Sequence, residues 1–247
     1  MNAYDSLAQW YDGFTGDVPY AALADYYESR LLREGQARLT LLDLCCGTGT
    51  LTLLLARRGH ELIGVDRSPE MLSVASEKAA GEKNITPPLL LCQEASELDL
   101  FGTVQGAYCS LDGMNYLPPE DLPELFRRLH LFIEPGGRFI FDFHAPAHLR
   151  ALDGEVFVDE TEDALCLWRG EFDEEENALS YGMDIFSREG ALWQRQSEEH
   201  TEYAHAPETL MELLTAAGFC DVRLLTDGPM AEQGRLFITA ENLPHEY

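Results

Sequence analysis

The sequence predicts an α/β protein: a doubly wound parallel sheet with helices on both faces, interrupted late in the chain by an antiparallel β insertion. Three observations predict it. From about residue 37, short apolar runs alternate with helix-like segments, which is the pattern of a parallel sheet. The first run, Leu39 to Leu44, ends in a glycine-containing loop that opens a helix, a unit that lets backbone approach a ligand closely. Between residues 155 and 205 the alternation stops, and strand-like runs follow one another directly.

Residues 1–36 read as two helical pieces around a turn at Gly13, Gly16 and Pro19. After the first strand, Thr50 to Arg58 reads as a helix stopped by Gly59. The second strand, Glu61 to Asp66, leads into Ser68-Pro69-Glu70, where Ser caps and Pro begins a helix reaching about Ala80. Strands follow at Leu89 to Cys92 and Gly106 to Leu111, then a helix at Pro123 to Phe132. Pro135-Gly136-Gly137 is expected to turn the chain into a fifth strand, Arg138 to Phe143. The insertion supplies strands around Val156–Val158, Cys166–Trp168, Leu179–Phe186 and Trp193–Tyr203. Pro207 to Ala217 is then a helix ended by Gly218, followed by strands at Val222 to Leu225 and Leu236 to Ala240. The expected division is a helical cap (1–36), a cofactor-binding core (37–150), an antiparallel insertion (151–206) and the remainder of the core (207–247).

With 247 residues, 45% of them hydrophobic, the chain can bury a sizeable core. No apolar run approaches the roughly 20 residues needed to span a bilayer, and the opening lacks a basic stretch followed by an apolar one. A cytoplasmic protein without membrane partners is expected. The six cysteines form no C-x-x-C pair, so reduced structural thiols are expected and no metal site. A formal net charge of −27 repels a phosphate backbone. Arg57-Arg58 and Arg127-Arg128 are the only basic doublets, so nucleic acid is disfavoured as a partner. The acidic runs at 153–163 and 171–176 read as solvated surface.

The sharpest signal is Leu41-Leu42-Asp43-Leu44-Cys45-Cys46-Gly47-Thr48-Gly49-Thr50. A glycine loop between strand and helix fits a dinucleotide or S-adenosylmethionine (SAM). Asp66, closing the second strand, can accept hydrogen bonds from both hydroxyls of a ribose. Asp43 stands just before the loop, and the full G-x-G-x-x-G is missing. A pyrophosphate disfavours a nearby acid, whereas a cofactor carrying a sulfonium and an amino group favours one. The balance goes to SAM.

Asp43-Leu-Cys-Cys-Gly-Thr-Gly49 resembles the first motif of the class I SAM-dependent methyltransferases, and Val65-Asp66-Arg-Ser-Pro-Glu-Met71-Leu resembles their second-strand acidic motif. The resemblance implies a Rossmann-like sheet of seven strands, the last antiparallel. Leu7-Ala-Gln-Trp-Tyr-Asp12 is similar to the N-terminal helix of a branch of small bacterial methyltransferases, in which an aromatic at the place of Tyr11 approaches the cofactor. By the same resemblance, Gly47 and Gly49, with Thr48 between them, face the methionine part of SAM. Asp43 lies beneath the loop, Asp66 with Arg67 meets the ribose, and Met71 packs on the adenine. Glu94 and Ala95 meet the adenine edge, and Ser110 lies beside the sulfonium. Two residues depart from the family pattern: Glu94, where Asp is usual, and Cys45, where Gly or Ala is usual.

Ligands in such sheets sit beyond the carboxyl ends of the strands. That places Asp112, Tyr116 and His144 as candidates for orienting or deprotonating a methyl acceptor. The insertion reads either as a lid over a pocket, offering Trp168, Tyr181, Trp193, Arg195, His200 and Tyr203, or as the contact of a homodimer. A small-molecule acceptor is expected. The alternatives are a methyltransferase acting on RNA or protein, and a non-catalytic module that binds SAM or S-adenosylhomocysteine.

Overall fold

The computed structural model describes residues 7–242. The cap is α1 (Ala8–Phe14) and α2 (Tyr20–Leu31). The first half of the core runs β1 (Thr40–Leu44), α3 (Thr50–Arg57), β2 (Glu61–Asp66), α4 (Pro69–Gly81) and β3 (Leu89–Cys92). It continues with β4 (Val104–Cys109), α5 (Leu122–Phe132) and β5 (Ile133–His144). A short α6 (Pro146–Ala151) leads into β6 (Val156–Glu160), β7 (Ala164–Asp173), β8 (Ala178–Glu189) and β9 (Leu192–Tyr203). The chain closes with α7 (Pro207–Ala216), β10 (Phe219–Leu225) and β11 (Arg235–Asn242).

Seven strands form one sheet in the order β10-β11-β5-β4-β1-β2-β3. β1 to β5 pair in parallel, whereas β11, the last strand, lies antiparallel to both neighbours. The chain winds outward in one direction from β1 and in the other from β4, so a crevice opens beyond their carboxyl ends. The four insertion strands form a separate antiparallel meander, β6-β7-β8-β9. Among the described residues, no helix is long and apolar enough to cross a membrane.

The apolar positions explain the layering. Leu23, Tyr27 and Leu31 of α2 pack with Leu51 and Leu55 of α3 on one face of the large sheet. Leu125, Phe126 and Leu129 of α5 and Leu210 and Leu214 of α7 cover the other. A third cluster joins Leu7 and, from α1, Trp10, Tyr11 and Phe14 to Cys166, Tyr181, Met183 and Ile185 of the small sheet. The first helix is thereby wedged against the insertion. Ser68 caps α4 as its position predicts, its hydroxyl accepting the Met71 amide at 3.1 Å.

The structure corrects several boundaries. β5 starts at Ile133, and Pro135-Gly136-Gly137 is absorbed as a register irregularity: Val104 pairs with Ile133, but Gly106 pairs with Arg138. β4 stops at Cys109, so Ser110 lies just beyond the strand. The six-residue α6 has too little periodicity for the sequence to announce it.

Candidate cofactor and acceptor site

A cavity, part of it open to solvent, lies beyond β1, β2 and β4. Its cofactor-side wall includes Cys45, Gly47 and Thr48 from the glycine loop, Asp66, Arg67 and Met71 from β2 and the start of α4, and Glu94 and Ala95 after β3. Tyr11 and Tyr20 close it from the cap, while Ser110, Gly113 and Tyr116 line it from the loop after β4.

The loop conformation follows from its residues. Gly47 has φ +53°, and a Cβ there would meet no protein atom within 4 Å, so the glycine turns bare backbone toward open space. Cys45 has φ +57°, a region a side chain enters at a cost. Its neighbour across the cavity, Gly113, has no room for a side chain: a Cβ would sit 2.7 Å from Cys109 Sγ and 2.9 Å from Cys45 Cβ.

Two carboxylates frame the loop. Asp66 accepts the Gly47 amide at 2.8 Å and the Ser68 amide at 2.9 Å, one on each oxygen. Burial raises its pKa against those two hydrogen bonds and nearby Arg67. Each oxygen keeps a second lone pair for another donor. Asp43 is 1% exposed beneath the loop. Its Oδ2 accepts from the Thr52 hydroxyl and, at 2.8 Å, from the Tyr108 hydroxyl, while its buried Oδ1 has no hydrogen-bond partner. Burial pushes its pKa up to about 7 in spite of those two donors.

The cap is fastened to the same loop. Asp12 accepts from Thr48 Oγ1 at 2.6 Å and Thr50 Oγ1 at 3.1 Å and pairs with Lys78 of α4 at 2.5 Å. At the other end of the helix, the Leu7 amide donates to Glu198 of β9 at 3.1 Å.

Beyond β4 and β5 lies a chain of ionisable groups. Leu111 and Asp112 both have positive φ. Asp142 holds them there by accepting both amides at 3.0 Å, and it also takes Tyr27 and Arg235. Arg235 continues to Asp112 Oδ1 at 2.8 Å and to His144 Nε2 at 3.1 Å. His144 Nδ1 meets Glu202 Oε2 at 3.3 Å. Burial opposes the charged form of Asp112, but Arg235 and then His144 bring its pKa below the usual value. Burial also opposes a charge on His144, yet Asp112 and Glu202 raise its pKa.

Residues 41–137 match the family pattern of methyltransferase domains. Over 245 residues the chain is 30% identical to the methyltransferase-family protein YqeM of Bacillus subtilis (strain 168), which covers 96% of each chain. The chain belongs to the class I SAM-dependent methyltransferases. A crystal structure of a SAM-dependent methyltransferase from Clostridium acetobutylicum ATCC 824 superposes with a TM-score of 0.82 at 27% identity, covering 98% of this chain and 100% of that one. The sugar N-methyltransferase KedS8 from Streptoalloteichus sp ATCC 53650 shares the fold, with a TM-score of 0.80 at 22% identity over 99% and 97% of the two chains.

In this methyltransferase, the sequence-predicted residues divide into those that line the cavity and those that do not. Tyr11, Cys45, Gly47, Thr48, Asp66, Arg67, Met71, Glu94, Ala95, Ser110 and Tyr116 line it. Gly49 caps α3 and Asp43 lies below the loop, both outside the lining. Asp112 and His144 also lie outside it, because Arg235 draws their side chains into the ionic chain. The insertion residues part by face. Trp168, Tyr181 and His200 point to the protein, while Trp193 is 54% exposed and Arg195 pairs with Asp184 on the outer face. The roles of Tyr20, Asp12, Lys78, Arg235 and Glu202 had no sequence signal, since each depends on contacts between distant segments. Among the described residues, Asp112, His144 and Glu202 each offer an acceptor atom within 4.8 Å of the other two.

Proposed function

We propose that this methyltransferase holds SAM in the cavity beyond β1 and β2 and methylates a small molecule beneath the cap and the antiparallel sheet. The observation that carries the reading is Asp66, fixed by two amide donors with lone pairs left toward a cavity whose nearest backbone, Gly47, has no side chain. The unpartnered Oδ1 of Asp43 beneath the loop also suits a cofactor with a cationic end. Asp66 would accept the ribose hydroxyls, Met71 and Ala95 would flank the adenine, and Glu94 would accept from its amino group. The cap lines the cavity with Tyr11 and Tyr20, which would screen the acceptor from water once it is bound. Bound there, SAM supplies a methyl group already activated on a sulfonium, so positioning can provide most of the acceleration.

A small acceptor fits the enclosure. Among the described residues, one arginine, Arg67, lines the cavity and no lysine does, which leaves little to draw in a phosphate backbone. The sugar N-methyltransferase KedS8, with the same fold, acts on a small molecule by its name. The test is calorimetric titration of SAM and S-adenosylhomocysteine into wild type and Asp66→Ala. Loss of the charged ribose acceptor should weaken binding roughly tenfold to a hundredfold, about 1.5–3 kcal/mol. Wild type that binds neither ligand would overturn the reading.

A further inference from the structure

We propose that the acceptor is an amine, held as its ammonium ion by the free carboxylate oxygens of Asp112 and Glu202 beside the cofactor cavity, with Glu202 taking its proton. The inference rests on the cofactor reading above and names the substrate class of that same site.

The argument begins with the count of charges. Three carboxylates, Asp112, Asp142 and Glu202, meet around one permanent cation, Arg235. Arg235 is committed to Asp142 and to Asp112 Oδ1, and no bond joins it to Glu202. A guanidinium only donates hydrogen bonds, so His144 Nε2 must accept from Arg235. In this arrangement the Nδ1–H of His144 donates to Glu202 Oε2; Asp112 and Glu202 favour a proton on the second nitrogen, and the guanidinium facing Nε2 opposes it. That arrangement leaves Asp112 Oδ2 and Glu202 Oε1 without a hydrogen-bond partner among the described residues. The Glu202 side chain is only 5% exposed. Glu202 thus keeps one oxygen open to a further donor beside a second carboxylate, a place that favours a positively charged hydrogen-bond donor.

The notch adjoins the methyl-transfer cavity. Leu111 and Gly113, on either side of Asp112, line that cavity, as does Tyr11, which feels the charges of Asp112 and Arg235. Around Glu202 stand Asp112, His144 and Arg235, with Tyr181 on β8 and the ring of His148 tilted against that of His144 at 4.7 Å. Burial and Asp112 raise the pKa of Glu202, which suits a proton acceptor. A divalent ion fits less well, because Arg235 already sits 2.8 Å from Asp112 Oδ1 and 3.1 Å from His144 Nε2 and cannot give up its charge. An ammonium ion needs only the two oxygens that Arg235 leaves free.

In the step, Glu202 accepts one proton from the ammonium nitrogen. The nitrogen lone pair forms the new bond to the methyl carbon as the carbon–sulfur bond breaks, and the bonding pair stays on sulfur. The products are a methylammonium ion and S-adenosylhomocysteine, and Glu202 returns its proton to water. His144 is a positioning residue, fixing the carboxylate of Glu202.

The experiment offers SAM with primary and secondary aliphatic amines, each matched with the corresponding alcohol and carboxylic acid. It follows S-adenosylhomocysteine release, locates the new methyl group by mass spectrometry, and measures SAM affinity by calorimetry in every variant. Only amines should be turned over, with the methyl group on nitrogen. Glu202→Gln should lower kcat/KM about tenfold to a hundredfold while SAM affinity changes less than about twofold, the latter showing an intact fold. Glu202→Asp, which keeps the charge, should recover part of the loss. Methylation at oxygen or carbon, unchanged amine turnover in Glu202→Gln, or no methylated amine from protein that binds SAM would overturn the inference and leave the cofactor reading standing. Protein that binds no SAM would overturn both.

Discussion

Asp43 in the large sheet and Asp184 in the small one are both buried, at 1% and 4% exposure, and their surroundings push them in opposite directions. Asp43 has only neutral donors, Thr52 and Tyr108, and one oxygen left over, and burial raises its pKa to about 7. Asp184 is held by Ser197 and by the guanidinium groups of Arg195 and Arg169, and its pKa falls to about 2. Those arginines are 50% and 58% exposed, so water screens the cluster. Where the protein completes its own charges, the group holds architecture together. Where it leaves one incomplete, as at Asp43 Oδ1, burial works against the charge instead.

The comparison can be broken most severely at Arg235, the one place where completed charges border the incomplete ones. Arg235→Leu strands Asp142 and Asp112 and should cost about 3–5 kcal/mol in urea denaturation. Next comes Asp43 itself. Its folded pKa lies above the ordinary 3.8, so the stability it contributes is complete below about pH 4 and is lost as pH rises through about 7. The slope approaches about 1.4 kcal/mol per pH unit within that window. Asp43→Asn should flatten it, as urea midpoints between pH 4 and 8 will record for the ligand-free protein.

Asp184 predicts the reverse sign at smaller size. Its folded pKa lies below the ordinary value, so its contribution is present above about pH 4 and is lost as pH falls toward 2. Because its partners are half exposed, Asp184→Asn should cost no more than about 1 kcal/mol at pH 7. The smallest stability effect belongs to Asp12, whose pair with Lys78 is exposed at 42% and 28%. Asp12→Ala should cost about 0.5 kcal/mol in the melt, yet speed SAM dissociation measurably in stopped-flow experiments because it loosens α1 from the loop.

The sequence announced the large sheet almost strand by strand, because burial on both faces writes continuous apolar runs such as Leu41-Leu42 and Phe139 to Phe141. The glycine loop and Asp66 were legible because each lies at a strand end marked by its own neighbours. The acceptor side was not. Arg235 stands 93 residues from Asp142, and Glu202 stands 58 from His144; no local pattern links them. Trp193 and Arg195 could not be placed for a different reason. Alternation fixes which residues share a face of the small sheet, but not which face meets the protein.

One short helix joins the two sheets. α1 is bonded at Asp12 to the loop after β1, while Leu7, just before it, is bonded to Glu198 of β9. Tyr11, between these two ties, forms part of the cavity wall. A lift of α1 away from the cavity would therefore break one tie or the other. The glycine loop of the large sheet and the last strand of the small one thus each hold one end of the same seven-residue shutter.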